Sequence, residues 1–250
     1  EKSELSELNS DQVELLKDYI KQRQTGVPLA HLTGRQEFMG IELLAGPAAL
    51  VPRKETEILG NAVVELMNEI GSNKTELLVI DICTGAGNLA IAYALKNTKA
   101  RIFAADLSAS AVELARRNVA FHQLNNRITV YEGDLLAPFD AEDYYHRVDI
   151  LSCNPPYISS SKVATMPGEI SKHEPKLAFD GGPFGIAILQ RLTREAPKYL
   201  RKGGWLVFEV GLGQVPALRK RLEKANAYDQ LRVATDKDKQ ERVILARMAK

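Results

Sequence analysis

Apolar positions along this chain change rhythm once. In residues 11–23, Val13, Leu15, Leu16, Tyr19 and Ile20 share one face at helical spacing, and Gly26 and Pro28 break the pattern. Residues 36–52 read as extended structure with turns at Gly40 and Gly46-Pro47, and residues 56–70 read as a second helix closed by Gly71-Ser72-Asn73. From residue 77 onward, short apolar runs rich in β-branched side chains alternate with helical stretches. Strands are expected at 77–82, 101–105, 127–132, 148–153, 205–210, 228–234 and 242–247. Helices are expected at 88–96, 108–121, 185–200 and 214–225, with Ser108 as the N-cap of the second. Strands alternating with helices predict a mostly parallel seven-stranded α/β sheet with helices on both faces. The expected division is a small N-terminal helical and hairpin segment, residues 1–71, and an α/β domain, residues 72–250. Ligands of such sheets bind beyond the carboxyl ends of the strands, where strand order reverses.

Composition narrows the setting. The 250 residues are 45% hydrophobic and 26% charged, with a formal net charge of +1, so overall charge does not mark a nucleic-acid binder. Two cysteines, Cys83 and Cys153, are too few for a disulfide framework, and the four histidines are scattered without metal-ligand spacing. No metal is expected, and the setting reads as reducing and cytoplasmic. No apolar run approaches the roughly 18 residues that a membrane span needs, and the polar, acidic residues 1–10 do not read as a signal peptide.

The loops after the strands carry the candidate chemistry. Asp81-Ile82-Cys83-Thr84-Gly85-Ala86-Gly87-Asn88 joins the first strand to a helix, with Gly85 and Gly87 allowing a tight turn against a ligand. Alone, it suits a dinucleotide as well as another adenosine ligand, or a plain turn. Asp106 ends the second strand roughly 20 residues on, where an acidic side chain accepts from ribose hydroxyls; its alternative is a helix cap. Asp134, followed by Leu135, ends the third strand, where a carboxylate accepts from an exocyclic adenine amine or sits in a solvated turn. The fourth loop, Asn154-Pro155-Pro156-Tyr157, is the most specific. Two prolines make it rigid and poor in N–H donors. Its backbone carbonyls and the Asn154 oxygen form an acceptor array for a planar NH₂ group, with the Tyr157 ring as a stacking face. Methyl transfer to such a nitrogen follows, with positioning as the main contribution.

With these residues the chain resembles the amino-methyltransferases that carry Asn-Pro-Pro-Tyr, and within them the release-factor glutamine methyltransferases. The resemblance runs through Pro28 to Gly34, Val51-Pro52-Arg53-Lys54-Glu55-Thr56-Glu57, Asp81 to Asn88, Asn154 to Ile158, His173-Glu174-Pro175 and Glu241-Arg242-Val243. It implies a class I, Rossmann-like fold, S-adenosyl-L-methionine as cofactor, and a glutamine side-chain amide in a peptide release factor as substrate. It further implies that Asp81, Cys83, Thr84, Gly85, Ala86 and Gly87 line the cofactor. Asp106 then holds its ribose, Asp134 and Leu135 its adenine, and Asn154 both cofactor and substrate. Pro155, Pro156 and Tyr157 lie on the glutamine, while Arg53 and Glu55 line the approach, their alternative being a salt-bridged helix start. Cys83 stands where the family usually has Gly, and only 27 residues precede Pro28, a shortened N-terminal helical part. Another planar nitrogen, in a small molecule or a nucleobase, and a non-catalytic binding module remain the competing readings.

Overall fold

The computed structural model describes residues 8–166 and 172–249; of the acidic start of the chain, residues 1–7 lie outside them. Helix α1 (Ser10–Gln24) opens on a reciprocal cap: Gln12 N donates to the Asn9 side chain, and the Gln12 side chain accepts from Asn9 N. The expected apolar face of α1 is not covered within the described residues. Leu15, Leu16 and Ile20 are each about half exposed, and α1 buries none of its residues. Its neighbour is a short helix, α2 (Leu29–Thr33), at a place where the sequence suggested only a break. Pro28 sits at the N-cap of α2, where a missing N–H costs nothing.

A hairpin of β1 (Arg35–Phe38) and β2 (Ile41–Leu44) follows. The extended stretch expected as far as residue 52 stops at Leu44, and residues 45–55 form no helix or strand. Pro47 and Pro52 lack the N–H groups that a ladder needs. Next come α3 (Thr56–Gly71), β3 (Leu77–Ile82), α4 (Asn88–Lys96), β4 (Ala100–Asp106) and α5 (Ala109–Phe121). After these come β5 (Ile128–Glu132), β6 (Val148–Cys153), α6 (Ser160–Val163), α7 (Ala187–Glu195), β7 (Leu200–Glu209), α8 (Val215–Lys224), β8 (Tyr228–Thr235) and β9 (Glu241–Met248). Ser108 caps α5, its hydroxyl accepting from Ala111 N.

The seven-stranded sheet has the order β5-β4-β3-β6-β7-β9-β8. Its first five strands are parallel, and β9 runs antiparallel to both its neighbours. Successive side chains of a strand point to opposite faces. Val79, Ile102, Ile150 and Val207 therefore pack under α3, α4 and α5, while Ile80, Phe103, Leu151 and Leu206 pack under α7 and α8. Helix α3, assigned above to the N-terminal segment, is part of this core through Leu59, Val63, Leu66 and Met67. The helix expected over 185–200 is shorter than the pattern suggested. Pro197 cannot continue it, a 3₁₀ turn follows at Ala196–Lys198, and β7 begins at Leu200, paired with Val148.

At the amino ends of the strands, buried Asp149 gathers three donors. Lys74 Nζ lies at 2.5 Å, Leu78 N at 2.9 Å, and Arg201 Nε completes the set. Asp149→Ala leaves a buried N–H and two cations without their acceptor, a cost of about 2–4 kcal/mol. Urea unfolding should show that loss as a lower midpoint, while cofactor affinity stays within about twofold because the side chain lies at the far end of the sheet.

Candidate active site

A cleft of about 970 Å³, counted out to its mouth, opens at the carboxyl ends of β3 to β6. Strand order reverses there, since β4 and β6 flank β3. The turn from β3 to α4 holds three residues in the left-handed region: Cys83 (φ 56°), Gly85 (54°) and Gly87 (80°). A Cβ on Gly85 would meet nothing within 4 Å, so the turn leaves a bare stretch of backbone there for a ligand. One on Gly87 would lie 3.3 Å from the Ala115 Cβ, so that glycine serves the packing of α4 on α5.

Asp106, at the end of β4, ties this turn to the start of α5. Its Oδ2 accepts from Gly85 N at 2.8 Å and its Oδ1 from Ser108 N at 2.9 Å. Burial pushes its pKa up, and the N–H groups of Ser108, Gly85 and Leu107 draw it back. Each oxygen keeps a lone pair for a hydroxyl donor. A diphosphate would need the Gly85 N–H that the carboxylate already takes, so the arrangement suits a nucleoside without phosphates. Leu107, Ala111 and Leu135 give the cleft an apolar wall beside it, the surface an adenine needs. These residues fit S-adenosylmethionine. Behind the turn, fully buried Asp81 accepts from Thr84 Oγ1 at 2.6 Å and Ser152 Oγ at 2.5 Å. Ser152 spends its proton on Asp81, so Tyr93, 3.1 Å away, donates to Ser152.

The Asn154–Tyr157 loop leaves β6 next to this turn, because Cys153 pairs with Ile82. Asn154 Nδ2 donates to Thr56 Oγ1, the first residue of α3, at 3.0 Å; among the described residues nothing donates to its Oδ1. Tyr157 turns inward, its hydroxyl donating to Glu209 Oε1 at 2.9 Å. Its carbonyl is also taken: Gln214 Nε2 donates to Tyr157 O at 3.0 Å and to Gly185 O at 3.2 Å, while Gln214 Oε1 accepts from Gly211 N at 2.9 Å. One amide thus ties three loops together. Gly181 and Gly185 press on the same loop. A Cβ on them would fall 2.6 Å from the Pro156 oxygen and 2.2 Å from the Tyr157 oxygen.

Across the mouth, Arg53 pairs with Glu174, not with Glu55. The buried Glu174 also accepts from Val51 N at 2.8 Å, so one carboxylate fastens the 45–55 segment to the 172–178 loop. Asp134 accepts from Arg191 Nη1 at 2.5 Å.

Of the residues singled out from sequence, Arg53, Cys83, Thr84, Gly85, Asp106, Asp134, Leu135, Asn154 and Pro156 line the cleft. Asp81, Ala86, Gly87, Pro155, Tyr157 and Glu55 lie outside its lining, and Asp81 and Tyr157 instead brace it from behind. Sequence reasoning missed Thr56, Leu107 and Leu177 in the lining, and Glu209 and Gln214 behind it. Glu209 had a signal: it is the one charged residue in the apolar run 205–210.

Comparison with known proteins agrees with this geometry. A family model described as methyltransferase small domain matches residues 60–177. The release factor glutamine methyltransferase of Moorella thermoacetica is 35% identical over 227 residues, 91% of this chain and 77% of that protein. That of Xylella fastidiosa is 36% identical over 206 residues, 82% of this chain and 71% of that protein. Among solved structures, the N-terminal domain of human METTL16 in complex with SAH has a TM-score of 0.61 at 17% identity, covering 94% and 92% of the two chains. The ribosomal protein L11 methylase from Lactobacillus delbrueckii subsp. bulgaricus gives 0.55 at 20% identity, covering 78% and 80%. Fold and relatives together define a class I S-adenosylmethionine-dependent methyltransferase. More narrowly, the chain belongs to the release factor glutamine methyltransferase family.

Burial raises the Asp81 carboxyl from 3.8 to about 6, against the pull of its two hydroxyl donors. Between those values the folded state holds a proton that the unfolded chain has lost, so stability falls as pH rises from about 4 to 6, by roughly 3 kcal/mol for a shift of this size. Urea unfolding across that range should show the slope in the wild type and a much flatter one in Asp81→Asn. An undiminished slope in Asp81→Asn would assign the effect to other groups.

Proposed function

We propose that this enzyme methylates the side-chain amide nitrogen of a glutamine in a peptide chain release factor, and that Asn154 is the acceptor that receives that amide. One observation carries the reading of the site: Asn154 is held by its nitrogen to Thr56, which leaves its oxygen as a fixed, unspent acceptor beside the Cys83–Gly85 turn. The named activity of the Moorella thermoacetica and Xylella fastidiosa relatives supports the substrate. The same reading suits a cytoplasmic enzyme; no helix among the described residues is long and apolar enough to cross a membrane.

S-adenosylmethionine, when bound, supplies an electrophilic methyl group. The residues of the chain do the rest by placement. Asp106 would accept from ribose hydroxyls, and Thr84 and Gly85 would line the turn beneath. Asn154 Oδ1 would take one N–H of the glutamine amide and Pro156 would pack on its plane. An amide nitrogen shares its lone pair with its carbonyl. Holding the NH₂ group in a fixed plane aims the little density available at one point, and alignment of this kind is worth at best about 7–11 kcal/mol. As the new N–C bond formed, the methyl's bond to sulfur would break with its electron pair left on sulfur as a neutral thioether, and the nitrogen would become positive and its N–H more acidic. The bond to Asn154 Oδ1 therefore strengthens toward the transition state, the condition for a contribution to rate. The proton is then lost from nitrogen to solvent. Gln214 takes one lone pair of the Tyr157 carbonyl, and Gly185 packs against the same oxygen.

The test is transfer of label from S-adenosylmethionine to purified release factor, with and without its target glutamine. Label that depends on that glutamine is expected. No label while cofactor binding is intact would move the chemistry to another planar nitrogen. Asn154→Ala should lower kcat by about 100-fold or more, in the range of a lost oxyanion-type contact, with a smaller effect on cofactor affinity. Full activity in that variant would remove Asn154 from the site. Asp106→Ala should instead weaken cofactor binding by about tenfold or more, read by calorimetry, as expected of a charged acceptor lost from two hydroxyls.

A further inference from the structure

Three pieces of chain frame the mouth of the cleft: the 45–55 segment, the 172–178 loop and the Asn154–Tyr157 loop. Hydrogen bonds join them end to end. Asn154 Nδ2 donates to Thr56 Oγ1 at 3.0 Å, and Thr56 N donates to the Arg53 carbonyl at 3.2 Å. Val51 N, at 2.8 Å, and the Arg53 guanidinium both donate to Glu174. Beyond Glu174, the Phe179 carbonyl accepts from Ile158 N at 3.0 Å, and Gly181 N donates to the Ile158 carbonyl at 2.8 Å. The path thereby returns to the residue after Tyr157, and the mouth is encircled. Among the described residues, Glu174 carries every hydrogen bond between the 45–55 segment and the 172–178 loop. Its side chain is 1% exposed, against 40% for Arg53, and it lies outside the lining of the cleft. The carboxylate is spent inside the ring and does not face an incoming chain.

We infer that Glu174 is a positioning residue for the methyl acceptor. Pro52 and Arg53 line the cleft from one of the two pieces it joins, and Pro175 and Leu177 from the other. Glu174 fixes their separation, so the acceptor meets a preformed mouth and loses less freedom on entering it. The inference rests on the reading that the glutamine of a release factor enters here. The other end of the 45–55 segment has its own anchor on α5. Leu44 N donates to Asn118 Oδ1 at 2.7 Å, Asn118 Nδ2 donates back to Leu44 O at 3.1 Å, and Ala49 packs with Ala111 and Leu114. That end, beside Asp106 and Ser108, does not depend on Glu174. Walls that hold the acceptor equally before and during methyl transfer change KM and leave kcat.

Glu174→Gln tests this in the full-length protein. The amide keeps the shape but has one oxygen, so either Val51 N or the Arg53 guanidinium loses its acceptor and faces an NH₂ group. The expected result is a KM for release factor higher by about tenfold, the scale of one hydrogen bond to a charged group, with kcat within about threefold and the Kd for S-adenosylmethionine within about twofold. An unchanged KM, a loss confined to kcat, or a cofactor Kd that rises as much as KM would overturn the inference; the last is the mark of general loosening. If Glu174→Gln does not fold, Arg53→Met and Arg53→Lys decide. Methionine cuts the ion pair and should raise KM, whereas lysine still brings a cation to Glu174 and should recover most of the loss. Wild-type KM in Arg53→Met, or no recovery in Arg53→Lys, rejects the role.

Amide hydrogen exchange gives a readout that needs no methyl acceptor. Glu174→Ala cuts both bonds at once. The N–H groups of Val51 and Thr56 should then exchange faster by about tenfold or more, while that of Leu44, held by Asn118, stays within about twofold. Faster exchange at Val51 alone would show that the bonds do not act as one ring, and the inference falls. Failure of the underlying reading looks different. In that case wild-type enzyme puts no label on release factor, or Asn154→Ala stays fully active, while exchange at Val51 and Thr56 still answers to position 174.

Discussion

Ile82 and Cys153 lie side by side where β3 and β6 end, and that pair sets how close the Cys83–Gly85 turn comes to Asn154. One residue later the chain on one side turns into the Cys83–Gly85 bend, and on the other into Asn154. A slip of a single position would send every side chain of β6 to the opposite face of the sheet. Two features hold the register. Both faces are buried, so neither set of side chains can be exchanged for the other. Within the ladder, Asp81 and Ser152 are partners in register and are hydrogen-bonded through their side chains at 2.5 Å. A polar pair sealed in an apolar sheet penalises any pairing that separates it.

The two halves of the site are built differently, and this decided what could be read from sequence. The half proposed to take the cofactor is local. Gly85 and Asp106 each follow a buried strand and precede a helix, so their order along the chain nearly gives their place in space. The half proposed to take the substrate is assembled from distant pieces. Asn154 and Thr56 are 98 positions apart, Arg53 and Glu174 121, Tyr157 and Glu209 52. Asn-Pro-Pro-Tyr announced itself by composition, but nothing in its spacing said that the tyrosine hydroxyl is spent on a carboxylate behind it. Arg53 and Glu55 stood close enough in sequence to pair, yet the buried acceptor for the arginine lies in another loop.

The sheet was legible for the same reason as the cofactor half. Runs such as 77–82 and 148–153 are too short and too β-branched for helices and are bounded by charge or glycine. The failures had physical causes. Pro197 ended a helix whose apolar pattern ran on, because a ring without an N–H outweighs a favourable stripe. The stripe of α1 was real, but periodicity reports only that a face is apolar and says nothing of what lies against it.

The contact of Gly181 and Gly185 with the Asn154–Tyr157 loop bears on how this enzyme can drift in evolution. At Gly60 an added methyl would meet the flexible end of Met39, and a smaller residue at position 39 could make room for it. At positions 181 and 185 the obstacle is the carbonyl oxygen of Pro156 or Tyr157, and every amino acid carries the same carbonyl. No second substitution can absorb the first. The Asn154–Tyr157 loop is therefore locked to two glycines by a constraint that lineage history cannot trade away, and change at this face of the cleft is confined to the side chains around it.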